Sequence, residues 1–192
     1  MGINFTIKKE EFMKVETTPL KDCWILTPTV YRDERGYFFE SFNQEVFEKE
    51  VGRSIVFVQD NQSFSKYGVV RGLHAQNGEA AQAKLVRVLQ GEILDVAVDM
   101  RAESPTYGMH FSVVLNDENK KQLFIPEGFL HGFSVLSESA VVSYKCNHLY
   151  VKEAEVGLHP NDPALDIDWK VSADQQIISE KDQSLPYLNQ SR

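Results

Sequence analysis

Cysteine is scarce in this chain. Cys23 and Cys146 are the only two among 192 residues, and neither sits in a CxxC or other zinc-type spacing. That excludes a disulfide scaffold and predicts two reduced, packed thiols of a cytoplasmic protein. Long apolar runs are missing as well. None reaches the roughly 18–20 residues of a membrane span, and the N-terminus MGINFTIKKE lacks the apolar centre of a secretory signal. That terminus does match the short myristoylation pattern through Gly2 and Thr6, with no second anchoring signal beside it. Positive charge is in the minority: 20 Lys and Arg face 28 Asp and Glu, a net charge of −8. Such a balance argues against a general binder of nucleic acid or of membrane surfaces. It leaves room for a small anion, which responds to local charge. No Walker A loop, GxGxxG, GxSxG, HExxH or HxH pair occurs, so a metal centre and the familiar nucleotide-loop and serine-hydrolase chemistries all lack their signatures.

What is present is a succession of short strands. The length is that of one ordinary domain with a substantial core. TIKKEEFMKVETTP and CWILTPTVY read as an N-terminal β arm, about residues 1–30, and GYFFESF (36–42) as an aromatic-rich strand. NQEVFEKEVG (43–52) is the best helix, with Asn43 as N-cap, Val46, Phe47, Glu50 and Val51 at helical spacing, and Gly52 as its stop. IVFVQDN leads into KYGVVRGLH, and KLVRVLQGEILDVAVDM divides into two strands at Gln90-Gly91. HFSVVL, QLFIP, GFLHGFSVL and AVVSYKCNHLY follow. Many strands and few short helices predict an all-β sandwich or jelly roll, with a core over about 31–150 and a more polar segment, about 151–192, wrapping around it.

Alternation assigns faces. In KLVRVL, Lys84, Val86 and Val88 share one face while Leu85, Arg87 and Leu89 share the other, so one of Lys84 and Arg87 points inward unless Lys84 merely opens the strand in solvent. In VVSYKCNHLY, Val142, Tyr144 and Cys146 share a face, and Tyr144 is either a core phenol bonded to a carbonyl or a proton-transfer group. His74, in RGLHAQ, and His131, in GFLHGF, sit in apolar strand-like surroundings, where a structural histidine is the default. Arg35, Arg71, Lys84 and Arg87 are either ordinary surface cations or the makings of an anion pocket. Pattern alone stops there.

Taken in order, DERGYFFESF (33–42), FVQDNQSFSKYGVVRGLHAQ (57–76), AQAKLVRVLQGEILDVAVDMR (81–101), SPTYG (104–108), QLFIPEGFLHGF (122–133), YKCNHLY (144–150), NDPALDIDW (161–169) and ISEKD (178–182) resemble the dTDP-4-dehydrorhamnose 3,5-epimerase family. The resemblance implies a cupin-like jelly roll, a homodimer, no metal or other cofactor, and epimerisation at C3 and C5 of dTDP-4-dehydro-6-deoxy-D-glucose on the route to dTDP-L-rhamnose. A proton on carbon beside a ketone is a weak acid; moving it requires a base on one face, stabilisation of the enolate oxygen and a proton source on the other face. By resemblance His74 is the base, Asp182 its paired carboxylate, Tyr144 the opposing donor and Lys84 the cation near the C4 oxygen. Arg35 and Arg71 match phosphate-contacting arginines, Glu40, Gln59, Asp60 and Asn61 the nucleotide pocket, and Tyr150 the aromatic that stacks on thymine. His131, Glu155 and Lys181 match further substrate contacts.

The sequence departs from the family pattern at Ala75, where an aromatic is usual after the histidine, in the NGEA loop (77–80), at Pro160 and at Lys170. None of these is a proposed catalytic group, but Ala75 and the loop touch the expected shape of the pocket beside the base. Three other readings remain at this level: a monofunctional 3- or 5-epimerase on a related nucleotide sugar, a non-catalytic nucleotide-sugar-binding jelly roll, and a metal-dependent cupin oxygenase. The joint presence of His74, Lys84, Tyr144 and Asp182 argues against the second, and the missing HxH pair against the third.

Overall fold

The computed structural model describes residues 12–188. The Gly2–Thr6 pattern and residues 1–11 of the expected N-terminal arm lie outside these residues. The chain opens with β1 (Met13–Thr17) and β2 (Trp24–Pro28), then a small hairpin of β3 (Tyr31–Asp33) and β4 (Gly36–Phe38), then helix α1 (Gln44–Val51). The strands of the body follow: β5 (Gln59–Lys66), β6 (Val69–Gln76), β7 (Lys84–Gln90), β8 (Glu92–Asp99), β9 (His110–Asn116), β10 (Gln122–Ile125), β11 (Phe129–Val135) and β12 (Ser139–Cys146). The chain ends with the short strands β13 (Glu155–Gly157) and β14 (Ile177–Ile178) and the helical turn α2 (Glu180–Gln183).

One sheet runs β1-β2-β10-β7-β12-β5 and the other β13-β6-β11-β8-β9, with β14 alongside β6. Neighbours in space are rarely neighbours in sequence, the jelly-roll pattern. Between the sheets lies a cluster that includes Val86, Val88, Ile93, Ala97, Leu115, Leu123, Phe129 and Val142. Both outer faces are covered too. Trp169, Leu158 and Leu165 from the C-terminal stretch pack over Val70, Leu73, Leu94, Val96 and Leu130. Helix α1 lays Phe47 and Val51 over Leu26, Leu85 and Phe124. This explains why EILDVAVDM reads as an almost unbroken apolar run: Ile93 and Ala97 face inward, while Leu94, Val96 and Val98 face the outer cover.

The expected helix forms as read. The Asn43 side chain accepts a hydrogen bond from the Val46 N–H, and Gly52 closes the helix at φ 71° in the left-handed region. Gly91 makes the β7–β8 turn at φ 81°. One strand is shorter than expected. GYFFESF is extended only through Phe38, because residues 39–42 leave the hairpin to reach α1, where Phe42 packs on Phe47 and Phe57.

Candidate active site

The site is built from strands of both sheets. Arg71 and His74 come from β6, His131 from β11, Lys84 from β7, Tyr144 from β12 and Asp182 from α2, and all six line one cavity of about 280 Å³. Alternation explains part of this. Lys84 stands at the end of a strand whose Val86 and Val88 enter the core, so it points inward, and Arg87 takes the outer face beside Ser143 and Lys145. Tyr144 likewise follows Val142 inward.

β6 breaks the alternation. His131 pairs with His74 and Phe133 with Arg71, so Gly72 and Leu73 together oppose Gly132. That extra residue is a β-bulge, and it turns Arg71 and His74, three positions apart, onto the same face. It also frees the Gly72 N–H, which donates to Asp182 Oδ2 at 3.2 Å. The other Asp182 oxygen lies 2.7 Å from His74 Nε2. A carboxylate only accepts, so Nε2 carries the hydrogen and Nδ1 is left as the basic lone pair. Ser179 fixes the carboxylate's position by accepting from the Asp182 N–H at 3.1 Å.

Electrostatics separate the groups. Burial pushes the Asp182 carboxyl up, but the hydrogen bond and charge of His74, with the Gly72 N–H, outweigh it and hold it below the usual carboxylate range. Burial lowers Lys84, against the partial opposition of Cys146, Asp95 and Glu155. Burial raises the Tyr144 phenol. Lys84 Nζ donates to the His74 carbonyl at 3.4 Å and lies 5.9 Å from the centre of the Tyr144 ring. His74, Lys84 and Tyr144 thus converge on one small space. His131 is buried, its Nε2 is 2.7 Å from Asp95 Oδ1, and burial pulls it below the ordinary histidine value.

The nucleotide-end residues divide. Gln59 and Asn61 face inward on β5: Asn61 pairs in register with Tyr144 and donates to Cys146 Sγ at 3.7 Å. The Gln59 side chain accepts from the Tyr150 N–H at 3.0 Å. The Tyr150 hydroxyl donates to Glu155 at 2.8 Å, and the other oxygen of Glu155 binds Lys181 at 2.5 Å, next in sequence to Asp182. Asp60 points to the opposite face and pairs with Lys145 at 2.9 Å. Arg35 and Glu40 are not brought to the cavity within this chain. Arg35 binds Asp33 at the tip of the β3–β4 hairpin and lines a separate cleft, and Glu40 contacts Asn43.

Ala75 proves to lie on the other side of the sheet from His74. Its side chain packs against the outer cluster and lines a cleft of about 560 Å³ with Met100, Leu130 and Leu158. Strand alternation alone requires this, so the small residue reshapes the back of β6 and leaves the cavity wall alone. In the NGEA loop, Asn77 caps a short turn over Gly78–Ala80. Sequence reasoning missed Asp95, Ser179 and the Gly72 N–H. Asp95 carried a signal: it is an acid on the inward face of an otherwise apolar strand. Among the described residues, no three His, Cys, Asp or Glu side chains gather as a metal site, and no helix is long and apolar enough to cross a membrane.

Comparison with known proteins follows the same geometry. Residues 17–190 match the model of a family described as dTDP-4-dehydrorhamnose 3,5-epimerase. The dTDP-4-dehydrorhamnose 3,5-epimerase of Salmonella typhimurium is 51% identical over 93% of this chain and 97% of its own. The crystal structure of the enzyme of that name from Elizabethkingia anophelis superposes with a TM-score of 0.91 at 53% identity, covering 94% of this chain and 98% of that one. A dTDP-6-deoxy-D-glucose-3,5-epimerase from Legionella pneumophila, solved in complex with dTDP-4-keto-L-rhamnose, gives a TM-score of 0.90 at 46% identity over 94% of this chain and 95% of that one.

Proposed function

The chain belongs to the dTDP-4-dehydrorhamnose 3,5-epimerase family, and from that premise we propose how its residues carry the reaction. The enzyme is an isomerase that epimerises C3 and C5 of dTDP-4-dehydro-6-deoxy-D-glucose to give dTDP-4-dehydro-L-rhamnose. His74 Nδ1 removes the proton from a carbon beside the C4 ketone. The electron pair moves to the C4 oxygen, and Lys84 stabilises the enolate by its charge. The enolate then takes the Tyr144 proton on its other face, which inverts the carbon. Tyr144 and His74 return to their starting states by proton exchange with solvent. C3 and C5 both flank C4, so the same three groups serve both centres.

The observation that carries this reading is the convergence of His74, Lys84 and Tyr144 on one cavity, with Asp182 holding the histidine from behind. Asp182 fixes the tautomer and favours the imidazolium that forms. The cavity, about 280 Å³, suits the sugar. The diphosphate and thymine would extend past Arg71 and Gln59 towards Tyr150, whose ring is half exposed and free to stack. Arg71, which among the described residues donates to Ser65 and to the Phe64 carbonyl, is our phosphate contact within this chain.

Arg35 and Glu40 fit the same substrate if they come from a second copy. The hairpin that bears Arg35 at its tip presents Tyr37 and Phe38, on β4, to solvent at 54% and 68% exposure, a surface suited to burial in a homodimer. We place the enzyme in the cytoplasm, with its nucleotide-sugar substrate. The test of the reaction is incubation with the 4-keto sugar in D2O. Deuterium entering at both C3 and C5, read by NMR, is the expected result. Entry at one carbon only would mark a monofunctional epimerase, and entry at neither, with folded protein, would leave only a binding role.

A further inference from the structure

Two strands bearing histidines meet at one bare point. Opposite the β6 bulge stands Gly132, between His131 and Phe133. A Cβ added at Gly132 would lie 2.6 Å from the Arg71 carbonyl oxygen, 3.1 Å from Leu73 Cδ2 and 3.3 Å from the Trp169 ring. A Cβ at Gly72 would meet the Gly132 Cα and the His131 carbonyl oxygen, both at 2.7 Å. The backbones touch where ordinary strands would hold side chains. Gly72 has a second reason to be glycine, its φ of 116°. Gly132 shows no such conformation, so space alone forbids a side chain there.

We infer that Gly132 is a positioning residue: its bare backbone is what lets β6 bulge, and the bulge sets His74, Arg71 and the Gly72 N–H in place around Asp182. Three elements of the site depend on that one contact. Without the bulge, Arg71 and His74 would face opposite sides of the sheet. The Gly72 N–H would return to the β ladder, and the Asp182 carboxylate would lose one of its two donors. A methyl at position 132 pushes directly on the Arg71 carbonyl, which is rigid backbone, so β6 must give way and His74 must move with it.

This inference rests on the reading of His74 as the base. The measurement is kcat for Gly132→Ala together with the dissociation constant for dTDP. The expected result is a fall in kcat of about 10- to 100-fold, the cost of displacing a catalytic group by a fraction of an ångström to an ångström, with dTDP bound more weakly as well, because Arg71 shifts together with His74. Gly91→Ala is the control for lost stability. It is more crowded still, with the Ser139 carbonyl oxygen in the way and a φ of 81° besides, but stands at the opposite end of β7 from Lys84. If Gly132→Ala loses no more kcat per folded molecule than Gly91→Ala, or binds dTDP as tightly as the parent enzyme, the positioning role is wrong. Should Gly132→Ala not fold, the same comparison is made in a Leu73→Val background, which removes the contacting Cδ2, against Leu73→Val alone. Failure of the base assignment shows up separately, as deuterium exchange surviving in His74→Ala.

Discussion

Lys84 and Tyr144 sit on paired strands, yet burial drives them in opposite directions. It favours the neutral amine at Lys84 and the protonated phenol at Tyr144. Lys84 stabilises an oxyanion only while charged. As pH rises through its lowered pKa the charge is lost earlier than on a free lysine, and kcat should fall with it. Tyr144 keeps its proton to higher pH than a free phenol, so the expected outcome is an alkaline limb of the kcat profile set by Lys84. Lys84→Arg supplies a cation that does not deprotonate. It should move that limb to higher pH and lower the plateau by about 10- to 100-fold, since the guanidinium fork does not reproduce a point charge at the oxyanion. A profile whose alkaline limb stays in place in the arginine variant would take the titration away from Lys84. His131 belongs to the same scale. Burial disfavours its charged form, against the pull of Asp95, which suits a hydrogen-bonding contact to the sugar better than a second charged acid.

β6 shows how much of the site could be read beforehand and where reading stopped. Alternation correctly placed Lys84 with Val86 and Val88, and Tyr144 with Val142, because β7 and β12 keep one register from Val88 and Val142 down to Lys84 and Cys146, the irregularity lying just beyond, between Val141 and Val142. Helix α1 was legible because its cap and its stop are chemical features of Asn43 and Gly52. The pairing of His74 with Asp182, 108 residues apart, has no local signal. Nor does the bulge, which depends on Gly132 of another strand. The family resemblance supplied the pair without its geometry. The same element explains the departure at Ala75. Because that side chain faces the outer cleft, Ala75→Val should bury about two more methyl-sized groups against Met100, Leu130 and Leu158. The expected gain is about 1 kcal/mol in stability, read from the midpoint of urea unfolding, with kcat unchanged. A change in kcat without a change in stability would mean that the back of β6 communicates with the cavity.

At the scale of the whole molecule, the catalytic cavity and the Arg35 hairpin are separate features of one chain. His74, Lys84 and Tyr144 open between the sheets, whereas Arg35 lines a cleft of about 460 Å³ with Arg32, Tyr37 and Phe38. Lys120 steadies that hairpin from its own chain, donating to the Tyr37 hydroxyl at 3.0 Å and lying 4.3 Å from the ring centre. The hairpin is therefore held in shape while Phe38 and the charged tip at Glu34 and Arg35 stay exposed, as an element handed to a twofold partner would be. In a homodimer built this way each site combines His74 of one copy with Arg35 of the other. Arg35→Ala and His74→Ala homodimers would each be impaired, the first in KM at the phosphate end and the second in kcat. Mixed dimers would hold one site with both residues intact and one with neither. Unfolding and refolding the two variants together at equal ratio should restore about a quarter of the wild-type rate at low substrate, since half of the dimers are mixed and half of their sites are whole. A mixture that shows only the average of its two components would place Arg35 in its own chain's chemistry or outside the reaction altogether.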